Sequence, residues 1–233
     1  MNVYFTVDVE QDCPPYLNTW RGVEEGMPKL LALLQEEHVR ATFFTTGEVA
    51  RRYADAVRTI VAQGHELGCH GNTHRSFAKM TAADAEADIA AASESLRVWA
   101  PVVSFRAPFL RFPTPYIPIL ARHQYAIDSS EGRHKKFHAR VYRDRGVLRV
   151  PASVTSSTLR WPALARNALF ARLSDPVVLF VHPWEFVDLR HERLRLDCRF
   201  RTGGQALDDA RSTLRFFRFR GATFAPMRDC AAA

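Results

Sequence analysis

Short runs of β-branched and aromatic residues alternate with stretches of helical period along the whole chain, and that rhythm admits few folds. "NVYFTV" (2–7) reads as a buried strand running into Asp8. Residues 22–38, "GVEEGMPKLLALLQEEH", carry Leu30, Leu31, Leu33 and Leu34 as an apolar helical stripe, with Pro28 near the start. "RATFFTT" (40–46) is the next strand, and "EVARRYADAVRTIVAQ" (48–63) a helix stopped by Gly64. "HELGC" (65–69) precedes an alanine-rich helix over 81–99 with Thr81 as its N-cap. The pattern repeats through "VVSF" (102–105), a proline-punctuated helix (113–123), "YAID" (125–128) and "GVLRV" (146–150). The helix 162–173 then leads to "PVVLFV" (176–181), an unbroken apolar strand buried on both faces. A helix over 206–219 and a last strand, "ATFAP" (222–226), complete it. Six or seven strands alternating with helices predict a parallel α/β sheet, closed or nearly closed.

Composition narrows the class. A chain of 233 residues that is 47% hydrophobic buries a good core, and no linker divides it, so residues 1–233 are expected to form a single domain. The N-terminus has no signal-peptide pattern, and no apolar run approaches the roughly 20 residues that span a bilayer. The expectation is a soluble, cytoplasmic protein. Cys13, Cys69, Cys198 and Cys230 make no C-x-x-C pair and read as reduced thiols. The 32 Lys+Arg against 25 Asp+Glu give a net charge of +7. Much of the excess is arginine spread through "RHKKFHARVYRDRG" (133–146) and "DLRHERLRLDCRFR" (188–201), which reads as a solvated face and not as a nucleic-acid groove. Contact with an anionic membrane surface stays open.

The stretch "GHELGCHGNTH" (64–74) raises a metal site. A zinc-protease helix needs His-Glu-x-x-His, and the residue four after His65 is Cys69. What remains is His70-x-x-x-His74 in a glycine-bearing loop. Asp8, His70 with His74, Arg106, Asp128 and His182 all follow strands, so in a parallel sheet they share one face, where such folds place their sites. Two imidazoles and a carboxylate leave positions open for water, as a catalytic divalent site requires. Asp8 and Glu10 are two apart and point to one side of an extended strand, and Asp12 competes with Glu10 as a ligand if the chain bulges. Cys69 and His65 read as core residues.

With these residues in view, the chain resembles the polysaccharide deacetylase (NodB-homology, carbohydrate esterase family 4) superfamily. "FTVDVEQD" is similar to its first motif, "HGNTH" to the metal motif, "RAPF" to the third, "YAIDSS" to the segment bearing the fourth and "LFVHP" to the last, in order. The resemblance implies a distorted (β/α)7-type barrel and metal-dependent hydrolysis of an acyl group on an amino sugar. It makes Asp8 the general base, with Glu10, His70 and His74 as metal ligands. Arg106 would orient Asp8, the Phe109 backbone N–H would hold the oxyanion, and His182 would be the general acid. Zinc is the first choice for such ligands, with cobalt, nickel, manganese or iron as alternatives. The family's fourth-motif tryptophan is missing, which leaves Asp128 as the candidate support for His182. "TWRGVEEGMPKLLALL" (19–34) is similar to deformylases of lipid-linked aminoarabinose, so a phosphate- or lipid-linked carbohydrate fits too. An allantoinase-like amide hydrolase and a non-catalytic barrel that binds an anionic glycan are the remaining alternatives.

Overall fold

The structure, a computed structural model, describes residues 1–133, 135 and 140–232. Among the described residues nine strands lie in one sheet: β1 (Asn2–Val9), β2 (Thr42–Thr45), β3 (Glu66–Cys69), β4 (Ser104–Phe105), β5 (Ile127–Asp128), β6 (Tyr142–Asp144), β7 (Val147–Arg149), β8 (Val177–Val181) and β9 (Thr223–Phe224). Their order is β6-β7-β5-β4-β3-β2-β1-β8, with β9 beside the start of β1. Every pairing is parallel except β6 with β7. Of these strands β6 alone falls outside the runs read as strands from the sequence. The β6–β7 turn holds Arg145 at φ 50° and Gly146 at φ 86°, a left-handed pair that glycine accepts readily.

The sheet curls into a distorted barrel. Its seam falls between β8 and the chain that follows β7. There Ser153 N–H donates to the Val178 carbonyl (2.8 Å) and Val178 N–H donates to Ser153 Oγ (2.9 Å). Helices cover the outside: α1 (Met27–Glu36), α2 (Gly47–Arg52), α3 (Ala54–Ala62), α4 (Ala82–Arg97), α5 (Ile117–Arg122), α6 (Ala163–Phe170), α7 (Leu196–Arg199) and α8 (Gly204–Phe219). The leucine stripe of α1 is buried in one cluster with Val3, Phe5 and Phe217, which ties β1 to α1 and α8. As expected, Thr81 caps α4, its Oγ1 accepting from Asp84 N–H at 3.2 Å. β8 is buried throughout, in keeping with its apolar sequence.

The helix predicted over 48–63 is two helices. Tyr53 breaks it at φ −125°, ψ 53°. Its hydroxyl donates to Glu24 (2.6 Å), its ring packs on Trp20 (5.7 Å), and the Arg52 guanidinium lies over both rings. On either side of this break α2 packs against α4 and α3 packs on β3, two directions that one straight helix does not satisfy. The basic stretch 133–146 is partly outside the described residues, at 134 and 136–139. Among the described residues no helix is long and apolar enough to cross a membrane.

A π-helical turn, Gly22–Gly26, sets the entry to α1 and presses on the loop after β8. A Cβ at Gly22 would lie 2.5 Å from the Trp184 nitrogen, and one at Gly26 would lie 2.0 Å from the Pro183 oxygen. Only glycine lets these backbones meet. The turn therefore fixes the segment that carries His182.

Candidate active site

Because the strands from β1 to β5 and β8 run parallel, their C-terminal ends open on one side. A cleft of about 250 Å³ lies there, with Asp8, Glu10, His70, His74, Phe109 and His182 in its walls. Asp8 and Glu10 come from the end of β1, His70 and His74 from that of β3 and His182 from that of β8, three strand ends that the sequence pattern placed on one face.

At its centre, Glu10 Oε2 faces His70 Nε2 at 3.1 Å and His74 Nε2 in closer contact still. The donor atoms of Glu10, His70 and His74 all lie within 4.8 Å of one another. His70 Nδ1 is 2.7 Å from the Arg106 carbonyl oxygen, an acceptor, so Nδ1 carries the proton and donates. In neutral imidazole that leaves a bare lone pair on Nε2 aimed at a carboxylate. Two acceptors this close need positive charge between them, from a proton or a metal ion. Donors each about 2 Å from one tetrahedral ion are roughly 3.3 Å apart, so the spacing fits a divalent cation. Burial alone would raise the Glu10 carboxyl, but His74 and His70, with the charge of His182, hold it well below its usual range. Glu10, His70 and His74 thus form a cluster that could hold a metal ion.

Asp8 stands beside it in the grip of Arg106, whose Nη1 donates to Asp8 Oδ1 at 2.7 Å. Arg106 is fully buried. It also donates to Thr6 Oγ1 (2.7 Å), Ser129 Oγ (2.9 Å) and the Ser129 carbonyl (3.3 Å). Its guanidinium lies over Phe44 (4.3 Å) and Phe180 (5.5 Å). Four of its five N–H donors are spent on orientation, and the carboxylate it holds faces the cleft. Asp12 is turned elsewhere: it accepts from Thr19 Oγ1 (2.7 Å) and Gly22 N–H (2.8 Å) and braces the π-helical turn. The metal-type cluster takes Glu10 and leaves Asp12 out.

His182 closes the far wall, its Nε2 3.8 Å from Glu10 Oε1. Its support is not Asp128. That carboxylate pairs with Arg149 Nε at 2.5 Å, and the two residues are cross-strand partners of β5 and β7. The structure puts Glu185 in the role, with Oε1 2.8 Å from His182 Nδ1 and 2.9 Å from the His182 backbone N–H. Arg160, itself buried, holds the other oxygen of Glu185 at 2.8 Å. The Trp184 ring stacks on the imidazole at 4.7 Å and 20°. Burial disfavours the charged ring, yet the Glu185 hydrogen bond and the charges of Glu10, Glu185 and Asp8 outweigh it and push His182 up to about 9. The His-x-x-Glu spacing of "HPWE" was the signal available in the sequence for Glu185.

Phe109 sits on a left-handed bend, φ 62° there and 48° at Leu110, with its ring edge-on to His74 at 4.8 Å. Bulky residues rarely adopt this conformation, and it sets the 109 backbone at the cleft wall. Cys69 and His65 are structural as read. Cys69 packs with Phe77 and Phe105, and burial pushes its thiol up to about 11. His65 Nδ1 accepts from Ala41 N–H at 3.1 Å, and burial with nearby Arg40 brings the ring down to about 4.

An α/β barrel with a His/Glu cluster at its strand ends, flanked by an arginine-held aspartate and a glutamate-held histidine, defines a class of candidate metal-site barrels. The particular family follows from comparison. Residues 2–127, more than half of the chain, match the polysaccharide deacetylase family, and the chain belongs to it. A peptidoglycan deacetylase of Helicobacter pylori is 29% identical over 109 residues, 46% of this chain and 37% of that protein. A chitooligosaccharide deacetylase of Sinorhizobium fredii is 35% identical over 85 residues, 35% of this chain and 40% of that one. The matched span is therefore well under half the length of these curated relatives. A polysaccharide-deacetylase-type structure from Mycobacterium smegmatis superposes with a TM-score of 0.73 at 20% identity, covering 99% of this chain and 88% of the other. At that identity the likeness is one of fold.

Proposed function

We propose that the protein is a metal-dependent N-deacetylase that removes an acyl group, in the first instance acetyl, from an amino sugar in a glycan or glycan intermediate. Residues 1–233 act in this reading as one domain in the cytoplasm, where the four thiols stay reduced. The observation that carries it is the convergence of His70 Nε2 and His74 Nε2 on one Glu10 oxygen, between Asp8 and His182. The relatives named for peptidoglycan and chitooligosaccharide deacetylation support a glycan as the substrate.

Glu10, His70 and His74 would hold the cation, zinc first and cobalt, nickel, manganese or iron as alternatives. When bound, a divalent ion would supply Lewis acidity, polarising an acyl carbonyl and lowering the pKa of water toward about 7. Asp8 is the base that takes the proton of the attacking water, and Arg106 keeps it aimed. The Phe109 N–H stabilises the negative charge that develops on the acyl oxygen. His182 starts protonated and gives its proton to the departing nitrogen, since an amine anion leaves poorly. Its elevated pKa keeps that proton available at neutral pH.

Metal analysis of the purified protein, with an acetate- and formate-release screen over amino sugars, tests this reading. Formate release alone would move the activity to a deformylase. Bound metal with no release from any substrate would turn it into a glycan-binding barrel.

The Glu185–His182 pair has its own signature. An imidazole raised from 6.5 to about 9 stabilises the fold fully below pH 6.5 and loses that contribution as pH rises through about 9. Activity that needs the protonated ring falls over the same alkaline limb. Glu185→Gln is expected to move that limb down by about one unit or more, with metal content unchanged. A pH–kcat profile with the limb unmoved would remove Glu185 from the proton-donating pair.

A further inference from the structure

Two thiols meet at the wall of the active cleft. Cys13 and Cys198 both line it. Cys13 belongs to the apolar cluster of Trp184, the ring stacked on His182, and Cys198 packs against that cluster. The Cys13 S–H donates to the Cys198 sulfur. Neither takes part in the deacetylation steps, and the Glu10–His70–His74 cluster leaves both out. The other two cysteines are engaged elsewhere: Cys69 packs with Phe77, and Cys230 shares a hydrogen bond with Tyr4.

The contact joins two segments far apart in sequence, and each is anchored. Cys13 follows Glu10 and Asp12 out of β1 with φ at 40°, a left-handed conformation that a non-glycine residue keeps only when its surroundings enforce it. Here Asp12 N–H donates to the Thr19 carbonyl (3.0 Å), and Tyr16 N–H donates to the Cys13 carbonyl (3.0 Å). Cys198 lies in α7, its N–H donating to the Arg195 carbonyl at 3.0 Å. Buried Arg160 holds the neighbouring Asp197 carbonyl at 2.7 Å and, through Nε, the Glu185 carboxylate behind His182 at 2.8 Å. A bond between the sulfurs would therefore tie the strand end that carries Glu10 to the brace of His182.

The two thiols differ in readiness. Cys13 is buried, and its hydrogen bond to Cys198 together with burial pushes its thiol up. Cys198 is partly exposed. The Cys13 hydrogen bond, with Arg195 and His182, holds its thiol below the usual range against burial and Asp197. An accessible, acidified thiol beside a buried one pairs an attacking cysteine with a resolving one.

We infer that Cys13 and Cys198 are a redox-active dithiol, which closes to a disulfide and narrows the active cleft. The oxidant is a small disulfide, RSSR. The Cys198 thiolate attacks one of its sulfurs, forming Cys198–S–SR and releasing a thiolate that takes up a proton. The Cys13 thiol then loses its proton, attacks the Cys198 sulfur and expels the second thiol. The protein gives up two hydrogens with their electrons, and RSSR becomes two RSH. Bonded sulfurs stand about 2 Å apart, closer than any thiol–thiol contact, so the two segments of the wall are drawn together. A thiol pool keeps the pair open in a reducing compartment, and an oxidising shift closes it. The loss of deacetylation on closure rests on the proposed function, whereas the bond itself does not.

Equilibration of the full chain in glutathione buffers of graded oxidised-to-reduced ratio, quenched by alkylation, tests it. Mass spectrometry is expected to find peptides joined at Cys13 and Cys198, with Cys69 and Cys230 left as thiols. The bond should raise the thermal midpoint by several degrees, because it closes most of the chain into one loop. Acetate release should fall by about tenfold or more and return with dithiothreitol. Cys13→Ser should stop at a glutathione adduct on Cys198, and Cys198→Ser, compared with its own reduced state, should show none of these responses. No Cys13–Cys198 cross-link at any ratio, or one that forms only in denaturant, overturns the pair. A cross-link with acetate release unchanged overturns the narrowing, and so does an equal loss of release in Cys198→Ser. A reduced protein that releases no acetate, yet gains the cross-link and the higher midpoint, sinks the deacetylase reading and keeps the dithiol.

Discussion

His70→Ala is expected to lose its divalent ion and its hydrolytic activity together, with kcat/KM down by more than about a thousandfold. The reason is local. Glu10 Oε2 is shared by two imidazole nitrogens, and removing one leaves a single imidazole and a carboxylate, too few protein ligands for a tight catalytic site. The variant also loses the Nδ1–H bond to the Arg106 carbonyl, at a cost of about 1–3 kcal/mol for the acceptor left behind. Circular dichroism and a thermal midpoint must therefore accompany the metal assay. A folded His70→Ala protein that keeps stoichiometric metal and normal turnover would remove Glu10, His70 and His74 as the metal centre.

His182→Ala separates the steps. The ligand cluster does not include this ring, so metal content should hold while kcat falls about 10²- to 10⁴-fold, the usual worth of a placed acid. The loss should depend on the leaving group. An amide nitrogen must be protonated to depart, whereas an activated phenyl ester leaves as a stable anion. The expectation is a deep loss on an N-acetyl sugar and a shallow one on a nitrophenyl acetate. Equal losses on both would take the acid role away from His182 and leave it a binding residue.

Much of the fold was legible because its signals are local. Leucine spacing announced α1, the Thr81 hydroxyl announced the start of α4, and the apolar run 176–181 announced β8. The site was legible for a different reason: parallel strands put every strand-end residue on one face, so Asp8, His70 and His182 are assembled by topology alone. The failures are all matters of long-range choice. Asp128 ends a strand on that face, but Arg149 is its neighbour across the ladder and takes the carboxylate. Glu185 and Arg160 become visible together only once the chain after β8 is folded against the 156–160 turn. Tyr53 breaks a sound helical pattern because Trp20 and Glu24 compete for it.

Arg106 has a consequence for how this protein would fail in a cell. A charged group sealed between Phe44 and Phe180 and bonded to β1 and the end of β5 is part of the framework as much as of the chemistry. Replacing it with methionine strands the Asp8 charge without its partner, a change worth about 3–5 kcal/mol and a large share of a domain's whole stability. Such an allele would be cleared by quality control and register as a missing polypeptide, whereas a lesion at the part-open His182 would leave abundant, silent molecules. Immunoblots of the two would tell them apart before any assay was run.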